Sequence, residues 1–232
     1  MPPLVLDGGF FLKRYPKVFR NGRNHDPETI AENMYRMCMR HLTRQKIKPP
    51  PQLYRILFYD CAPFKGTSHN PISKEHIAFG TTPIAIKRDA FFDKLRRRRK
   101  VALRLGEVHA DKRWILKPHI TQKLLKGEKL WSDLVETDVQ YSLRQKGVDI
   151  KIGLDIAALA FKEKVDQIIL VSGDSDFVPA AKAARREGID FILDPMWNPI
   201  SDDLHEHIDG LSSTCENPSK KFSGSSYPYL NG

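Results

Sequence analysis

Cysteine is scarce in this chain of 232 residues, which has only Cys38, Cys61 and Cys215. Their odd number and wide spacing predict neither a disulfide framework nor a cysteine metal knuckle, and they fit a reducing compartment. Long apolar runs are also lacking, because no stretch approaches the roughly 20 residues of a membrane span. The first residues, "MPPLVLDGGFF", have no basic region and no apolar core typical of a secretion signal. We therefore expect a cytoplasmic protein with no membrane partner.

Acidic residues are the minority among the charges, since 28 Asp and Glu face 38 Lys and Arg, a formal net charge of +10. A cationic surface favours polyanions such as nucleic acids through steering and counterion release. Many basic proteins bind no nucleic acid, so the charge alone leaves this open. The hydrophobic content of 41% is that of a soluble globular protein and excludes the disordered and fibrous classes.

Strand and helix patterns alternate along the chain. "PLVLD" (3–7) predicts a first strand, followed by a polar loop to about residue 26, a helix capped by Asp26, and a strand at 53–60. Later, a helix at 148–164, the apolar run "QIILV", the helix "FVPAAKAARREG" and the strand "IDFILD" follow each other with short joints. This order predicts βαβ units, and therefore an α/β fold with a mainly parallel sheet.

Two segments fit this pattern less well. Residues 61–145 predict a helix that turns extended near "VALRLGEV", with "KRWIL" pairing back as a hairpin. The tail 212–232 is rich in Ser, Gly and Pro, and we expect it to fray. The prediction is one domain over 1–211, which contains 61–145 as an irregular basic insertion, followed by the tail.

Four aspartates stand where parallel strands or helices end or begin. Asp174 and Asp176 follow the buried run "QIILV", Asp7 ends the first strand, and Asp149 opens the 148–164 helix. In open α/β sheets, functional groups gather beyond the carboxyl ends of strands, at the point where the strand order reverses. Carboxylates that cluster there either take up protons or hold a cation. Oxygen-only ligands favour Mg²⁺ or Mn²⁺, ions that also partner phosphates.

Each acid also has an ordinary structural explanation. Asp176 is a plausible helix N-cap, Asp149 a first-turn acid that the helix dipole favours, and Asp7 a turn residue. Asp155 lies six residues beyond Asp149, about 120° around one helix, so the two cannot readily share one ion. It serves a second ion, an outer shell, or merely the polar edge of the helix. Lys146 either meets a phosphate or is solvated.

Three segments, "LVLDGGFF", "KGVDIKIGLDIAALA" and "ILVSGDSDFVPAAKAARREGIDF", resemble the NYN domain family, specifically its LabA-like branch in the PIN-like nuclease superfamily. The resemblance runs from residue 3 to about 210, and 61–145 contributes little to it. It implies a Rossmann-like, three-layer α/β/α sandwich and a metal-dependent ribonuclease that hydrolyses RNA phosphodiester bonds. Carried over by motif, the catalytic and metal-binding acids would be Asp7, Asp149, Asp174 and Asp176, with Asp155 as an additional metal ligand.

The chain departs from this family at one position, and other readings stay open. Many relatives have an asparagine two residues after the first-strand aspartate, where this chain has Gly9. Some relatives act as regulators, so a non-catalytic RNA- or protein-binding protein of the same fold is the alternative. A toprim-like site would want a glutamate where Asp7 stands, and a HAD-type phosphatase would want Asp-x-Asp on the first strand.

The densest charge run is "KLRRRRK" at 94–100. We expect it to hold single-stranded RNA and to form a basic rim around the acidic crevice. The ordinary alternative is a solvated helix face with Phe91 and Phe92 buried. The predicted RNA-binding residues are Lys94, Arg96, Arg97, Arg98, Arg99, Lys100 and Lys146. The sequence leaves the oligomeric state open, a homo-oligomer included.

Overall fold

A computed structural model describes residues 1–44, 49–162 and 164–220. The strands are β1 (Leu4–Asp7), β2 (Ile56–Cys61), β3 (Thr67–His69), β4 (His76–Ala78), β5 (Val101–Leu116), β6 (Val139–Lys146), β7 (Gln167–Val171), β8 (Asp190–Asp194) and β9 (Gly210–Leu211). The helices are α1 (Gly8–Val18), α2 (Pro27–Thr43), α3 (Pro83–Arg96), α4 (Pro118–Leu125), α5 (Val148–Phe161), α6 (Val178–Arg186) and α7 (Asp202–Glu206). None of these helices is long and apolar enough to cross a membrane.

The central sheet has the strand order β6-β5-β2-β1-β7-β8-β9. All pairings in it are parallel except that of β5 with β6. The chain starts in the middle with β1, builds outward through β2 and β5, and then returns to place β7 on the other side of β1. The strand order therefore reverses between β1 and β7. Asp7 ends the first of these strands and Asp174 follows the second, and functional groups are expected at such a reversal.

Helices cover both faces of the sheet because the buried strands alternate their side chains between two cores. Leu4 and Leu6 of β1 pack with α1, α2 and α3, whereas Val5 packs with α5 and α6. The parallel strands are apolar on both faces, which is typical of sheets that are covered on both sides. The prediction of a three-layer α/β/α sandwich with a mainly parallel sheet is confirmed.

The segment after β1 is a helix, so the prediction of a polar loop from residue 8 to about 26 is wrong. Asp7 caps α1 by accepting a hydrogen bond from the Phe10 backbone N–H, and Phe11 and Tyr15 bury one face of the helix. The pair Gly8-Gly9 and a proline inside the helix disfavour a helix locally. Burial of the aromatic face outweighs that local preference.

The strand β5 is longer than the sequence indicates. Residues 101–106 pair in parallel with β2, and residues 107–116 continue past the sheet and pair antiparallel with β6. The segment "KRWIL" belongs to β5 itself, so the prediction that it pairs back as a hairpin is wrong. We call residues 107–116 together with β6 the arm. It projects beyond the carboxyl edge of the sheet, and β6 leads directly into α5.

Gly106 fixes the base of the arm. A Cβ atom at this position would lie 2.5 Å from the Lys146 carbonyl oxygen and 3.0 Å from Val148 Cγ2, and backbone cannot give way as a flexible side chain can. Only glycine therefore allows β6 and the start of α5 to approach β5 this closely.

We expect Gly106→Ala to lower the free energy of unfolding by about 1–3 kcal/mol, the usual range for overpacking. Gly153 in α5 is the matched control, because a Cβ atom there meets nothing within 4 Å. Gly153→Ala should stabilise the protein by about 0.5–1 kcal/mol, since alanine is the better helix former. Urea denaturation of both variants measures this, and equal effects would contradict the assigned close contact.

Residues 213–215 enter the core, at the point where the sequence predicts the start of a frayed tail. Ser213, Thr214 and Cys215 are buried, and the Thr214 hydroxyl donates a hydrogen bond to the Met37 carbonyl at 2.9 Å. The remainder of the predicted tail, residues 221–232, lies outside the described residues. The three cysteines, Cys38, Cys61 and Cys215, are free thiols and are buried.

Candidate active site

The predicted acids lie at the carboxyl edge of the sheet, around the point where the strand order reverses. Asp7 is the last residue of β1, and Asp174 follows the end of the neighbouring β7 by three residues. Asp149 lies in the first turn of α5, which packs against β1 and β2. Asp176 follows in the turn that precedes α6. The structure thus brings acids from three separate segments to one edge.

Asp7 is half-buried among other negative charges. Its Oδ1 accepts a hydrogen bond from the Phe10 N–H at 3.1 Å, and its Oδ2 lies 3.5 Å from the Ser172 hydroxyl. Burial, followed by the charges of Asp149 and Asp60, raises the pKa of Asp7 to about 6, although the Phe10 N–H opposes this. The raised pKa means that the surroundings of Asp7 disfavour the ionised form of its carboxyl group.

Asp149 and the Asp174–Asp176 turn influence each other across the crevice. Burial, then the charges of Asp174 and Asp176, raise the pKa of Asp149. Asp174 Oδ1 accepts the Asp176 N–H at 3.0 Å, and the Ser172 hydroxyl accepts the Asp174 N–H at 3.3 Å. Asp174 therefore caps this turn, whereas the ordinary structural explanation of the sequence made Asp176 a helix N-cap. Ser172 links the turn to Asp7.

Two other strand-ending aspartates have cationic or histidine partners. Arg88 donates to both carboxylate oxygens of Asp60 at 2.7 Å, and His41 Nε2 lies 2.8 Å from Asp194 Oδ2. Among the described residues, no lysine, arginine or histidine lies within 4.0 Å of a carboxylate oxygen of Asp7, Asp149, Asp174 or Asp176. The outer acids of this edge are compensated by side chains, and the four inner acids are not.

The four inner acids do not form a closed ligand cage. Within residues 1–44, 49–162 and 164–220, the one group of three potential ligands with all their ligand atoms within 4.8 Å of one another is Asp203, Glu206 and His207. His207 pairs there with Asp203 at 3.5 Å, and both acids are exposed, as surface acids without an ion commonly are. No three of the inner acids meet that limit, which is consistent with their mutual repulsion.

The inner acids nevertheless fit a divalent ion. Their donors are all carboxylate oxygens, which hard cations such as Mg²⁺ and Mn²⁺ prefer. Burial, followed by neighbouring carboxylates, raises the pKa values of Asp7 and Asp149, so both negative charges are disfavoured at this edge. A cation placed among the acids would offset both burial and repulsion.

Asp155 has partners from the chain itself. The Tyr59 hydroxyl donates to its Oδ2 at 2.6 Å, and Arg104 Nε lies 3.4 Å from the same oxygen. Burial, then the bond to Asp155, raise the pKa of Tyr59, so its hydroxyl remains a donor at neutral pH. The structure places Asp155 on α5 beside β5, where these two groups already compensate its charge.

The basic run 94–100 lies at the opposite edge of the sheet. It directly precedes Val101, whose partner Ile56 is level with Leu4 at the amino end of β1. Several of its side chains bind acids of α2, as in the pairs Lys94–Glu28 at 2.6 Å and Arg98–Glu32 at 2.5 Å. The run therefore does not form a rim around the inner acids.

The aromatic residues before the run are not available to stack on bases. Phe91 and Phe92 are 2% and 0% exposed, as the ordinary alternative for the run required. Lys146, the last residue of β6, is exposed and lies at the same edge as the acids. It is the member of the predicted RNA-binding set that the structure places next to the crevice.

Gln145 borders the site, although sequence reasoning did not single it out. A Cβ atom built on Gly9 would lie 3.4 Å from Asp7 Oδ1 and 3.8 Å from Gln145 Oε1, so both side chains border the space in front of this glycine. Gln145 reaches it because the arm returns β6 to this edge. The available signals were its neighbour Lys146 and the predicted start of α5, both close to the acids. Placing Gln145 from these signals requires the pairing of β5 with β6, which the sequence does not show.

Comparison with known proteins gives one family match. The family model described as "NYN domain" matches residues 90–207, which include α5, β7 and α6 with three of the inner acids. No curated protein gives a significant match to the chain.

Proposed function

This chain belongs to the NYN domain family, and from this premise we propose that it is a ribonuclease that hydrolyses RNA phosphodiester bonds with the help of Mg²⁺ or Mn²⁺. The observation that carries the proposal is the contrast at the carboxyl edge of the sheet. Asp60 has an arginine partner and Asp194 a histidine partner, whereas among the described residues no lysine, arginine or histidine lies within 4.0 Å of the carboxylate oxygens of the four inner acids. An edge that leaves four negative charges uncompensated is suited to a ligand of positive charge.

We propose that Asp7, Asp149, Asp174 and Asp176 hold the ion. When bound, such an ion supplies a Lewis acid that activates water and stabilises the leaving oxygen of a phosphodiester. Asp7 is the most buried of the four, and burial raises its pKa, whereas Asp149, Asp174 and Asp176 are exposed at the mouth of the crevice. Ser172 aligns Asp7 with Asp174 through its contacts to both. Asp155 would act outside this group, since Tyr59 and Arg104 hold its carboxylate.

RNA is the proposed substrate because the protein as a whole carries a strong positive charge although the candidate site is acidic. The net charge of +10 attracts a polyanion, although the inner acids alone would repel it. Lys146 at the same edge can bind a phosphate beside the acids. The run 94–100 lies at the other edge, so we assign it at most a contact with a distant part of a long strand.

The test uses the purified chain, a single-stranded RNA oligonucleotide and Mn²⁺. We expect cleavage that EDTA abolishes and that Asp174→Asn slows at least about a hundredfold, beyond the usual effect of losing an outer contact to a metal ligand. Asp93→Asn, which removes an exposed acid in α3, is the matched control and should cleave normally. Circular dichroism establishes that the variants are folded. Cleavage that persists in EDTA would overturn the proposal.

A non-catalytic regulator of the same fold is the second candidate. It is favoured by the spacing of the inner acids, no three of which bring their ligand atoms within 4.8 Å of one another. Such a protein would bind RNA without cleaving it, and binding would survive both EDTA and Asp174→Asn. Electrophoretic mobility shifts beside the cleavage assay separate the two candidates.

A further inference from the structure

An open space separates the Asp7 carboxylate from the amide of Gln145. It lies in front of Gly9, where a Cβ atom would be 3.4 Å from Asp7 Oδ1 and 3.8 Å from Gln145 Oε1. These are ordinary van der Waals distances, so the space has room for an atom of a bound molecule. Asp7 borders it from β1 and Gln145 from the arm. A group that enters this space touches both side chains.

The arm places Gln145 at this point and leaves its amide free to bind. Gln145 is paired with Val108 in the β5–β6 register, and the next residue, Lys146, is held against Gly106. The Gln145 side chain is exposed and has no hydrogen bond to another residue in the part of the chain that the structure describes. The backbone position is therefore fixed, while the donors and the acceptor of the amide remain available.

A neutral amide suits a phosphate that must approach negative side chains. An RNA phosphate at this edge meets four acids that repel it. A lysine in place of Gln145 would attract the phosphate, but it would also pair with Asp7 and compete with the ion. An amide N–H donates to a phosphate oxygen without adding a charge that neutralises the acids.

We propose that Gln145 binds the substrate of this site: its unpaired amide turns so that the NH₂ group, rather than Oε1, faces the space between Asp7 and Gln145, and donates a hydrogen bond there to a phosphate oxygen of the RNA strand. The proposal rests on the ribonuclease function proposed above. Gln145 thereby positions the scissile phosphodiester against the inner acids. The arm takes part in substrate binding through this residue and Lys146.

Two substitutions of Gln145 distinguish a phosphate contact from an ion ligand. We expect Gln145→Ala to raise KM for an RNA oligonucleotide about tenfold, the effect of one hydrogen bond to a charged group, with little change in kcat. Gln145→Glu should raise KM further because its carboxylate repels the phosphate. The affinity for Mn²⁺ alone, measured by isothermal titration calorimetry, should stay within about twofold in both variants. Weaker Mn²⁺ binding by Gln145→Ala and tighter binding by Gln145→Glu would overturn the proposal in favour of an ion ligand.

A second-site substitution tests the position of the contact. In the Gln145→Ala background, Gly9→Asn returns an amide to the same space from the opposite side. We expect this second substitution to lower KM most of the way back to the wild-type value. Gly9→Ala in that background is the control, because it fills the space without an amide. It should leave KM at the raised value of Gln145→Ala. Equal KM values for the two double variants would refute the assigned contact.

The outcomes separate this proposal from the one it rests on. A wild-type protein that neither binds nor cleaves RNA overturns both. A wild-type protein that cleaves RNA, together with a folded Gln145→Ala variant of unchanged KM, overturns only the role of Gln145. Thermal unfolding of each variant excludes a loss of structure as the cause.

Discussion

Replacing Asp7 by asparagine is expected to abolish RNA cleavage and, at the same time, to stabilise the ion-free protein at neutral pH. The carboxamide oxygen of asparagine can still accept the Phe10 N–H that caps α1. It lacks the negative charge that burial, Asp149 and Asp60 disfavour. One substitution therefore removes a proposed ligand and relieves an electrostatic cost. Opposite effects on activity and stability are typical of residues kept for function.

The direction of the stability change follows from the pH dependence of the Asp7 charge. The pKa of Asp7 is raised from its ordinary value of 3.8 to about 6 in the folded state, so folding favours the protonated acid. The stability that this proton provides is fully present below pH 3.8 and is lost as the pH rises through about 6. Above that pH the charged side chain costs up to about 3 kcal/mol, the equivalent of the shift.

Urea denaturation in EDTA at pH 4 and pH 7.5 measures the effect. Asp7→Asn should gain stability over the wild type at pH 7.5 and much less at pH 4. Addition of Mn²⁺ should then raise the melting temperature of the wild type but not that of the variant. A variant that is less stable than the wild type at pH 7.5 would show that the Asp7 carboxylate is not in a repulsive environment.

Replacing His41 by alanine is expected to cause the largest loss of stability, about 3–5 kcal/mol, because it leaves a buried carboxylate without its main partner. Asp194 is fully buried, and His41 Nε2 lies 2.8 Å from its Oδ2. The backbone N–H groups of Met196 and Thr214 would remain as donors at 2.8 and 3.4 Å. For a domain of this size, we expect the melting temperature to fall by roughly 10 °C.

A matched control and a double variant define this result. Arg96→Ala removes an exposed ion pair with Asp93 and should change the stability by no more than about 1 kcal/mol. In His41→Ala with Asp194→Asn, the loss should be smaller than the sum of the two single losses, because no buried charge is left unpaired. Additive losses, or a loss below about 1 kcal/mol for His41→Ala, would contradict the assigned pair.

Local patterns in the sequence predict the buried strands, the helix starts and the aspartates that lie beside them, because each of these features depends on a short segment. The apolar runs of β1 and β7 predict buried parallel strands, whose carboxyl ends lie at one edge of the sheet, so Asp7 and Asp174 are predicted at the same edge. That the two strands are neighbours was a condition of the prediction, and the parallel pairing of β1 with β7 meets it. Asp149 follows from the helix start that comes after Gly147. These parts of the site need no long-range information beyond the fold class.

Features that depend on packing or on long-range pairing could not be predicted in this way. Helix α1 forms against the local preference of Gly8, Gly9 and Pro16, because Phe11 and Tyr15 enter the core. The run 94–100 precedes the amino end of β5, and its position relative to the acids depends on how β5 pairs in the sheet. Gln145 reaches the site only because β5 extends past the sheet and pairs with β6. Each of these outcomes is set by contacts between residues far apart in the chain.

The arm separates one part of the chain from the segments that carry the four acids. The chain leaves the sheet through β5 and returns through β6 immediately before α5, so residues between 116 and 139 lie outside the segments that carry the acids. Leu116 and Val139 form the last pair of the arm, whereas Glu107 and Lys146 form the pair beside the sheet and α5. A change of length between 116 and 139 therefore alters the far end of the arm and leaves the four aspartates at the carboxyl edge of the sheet.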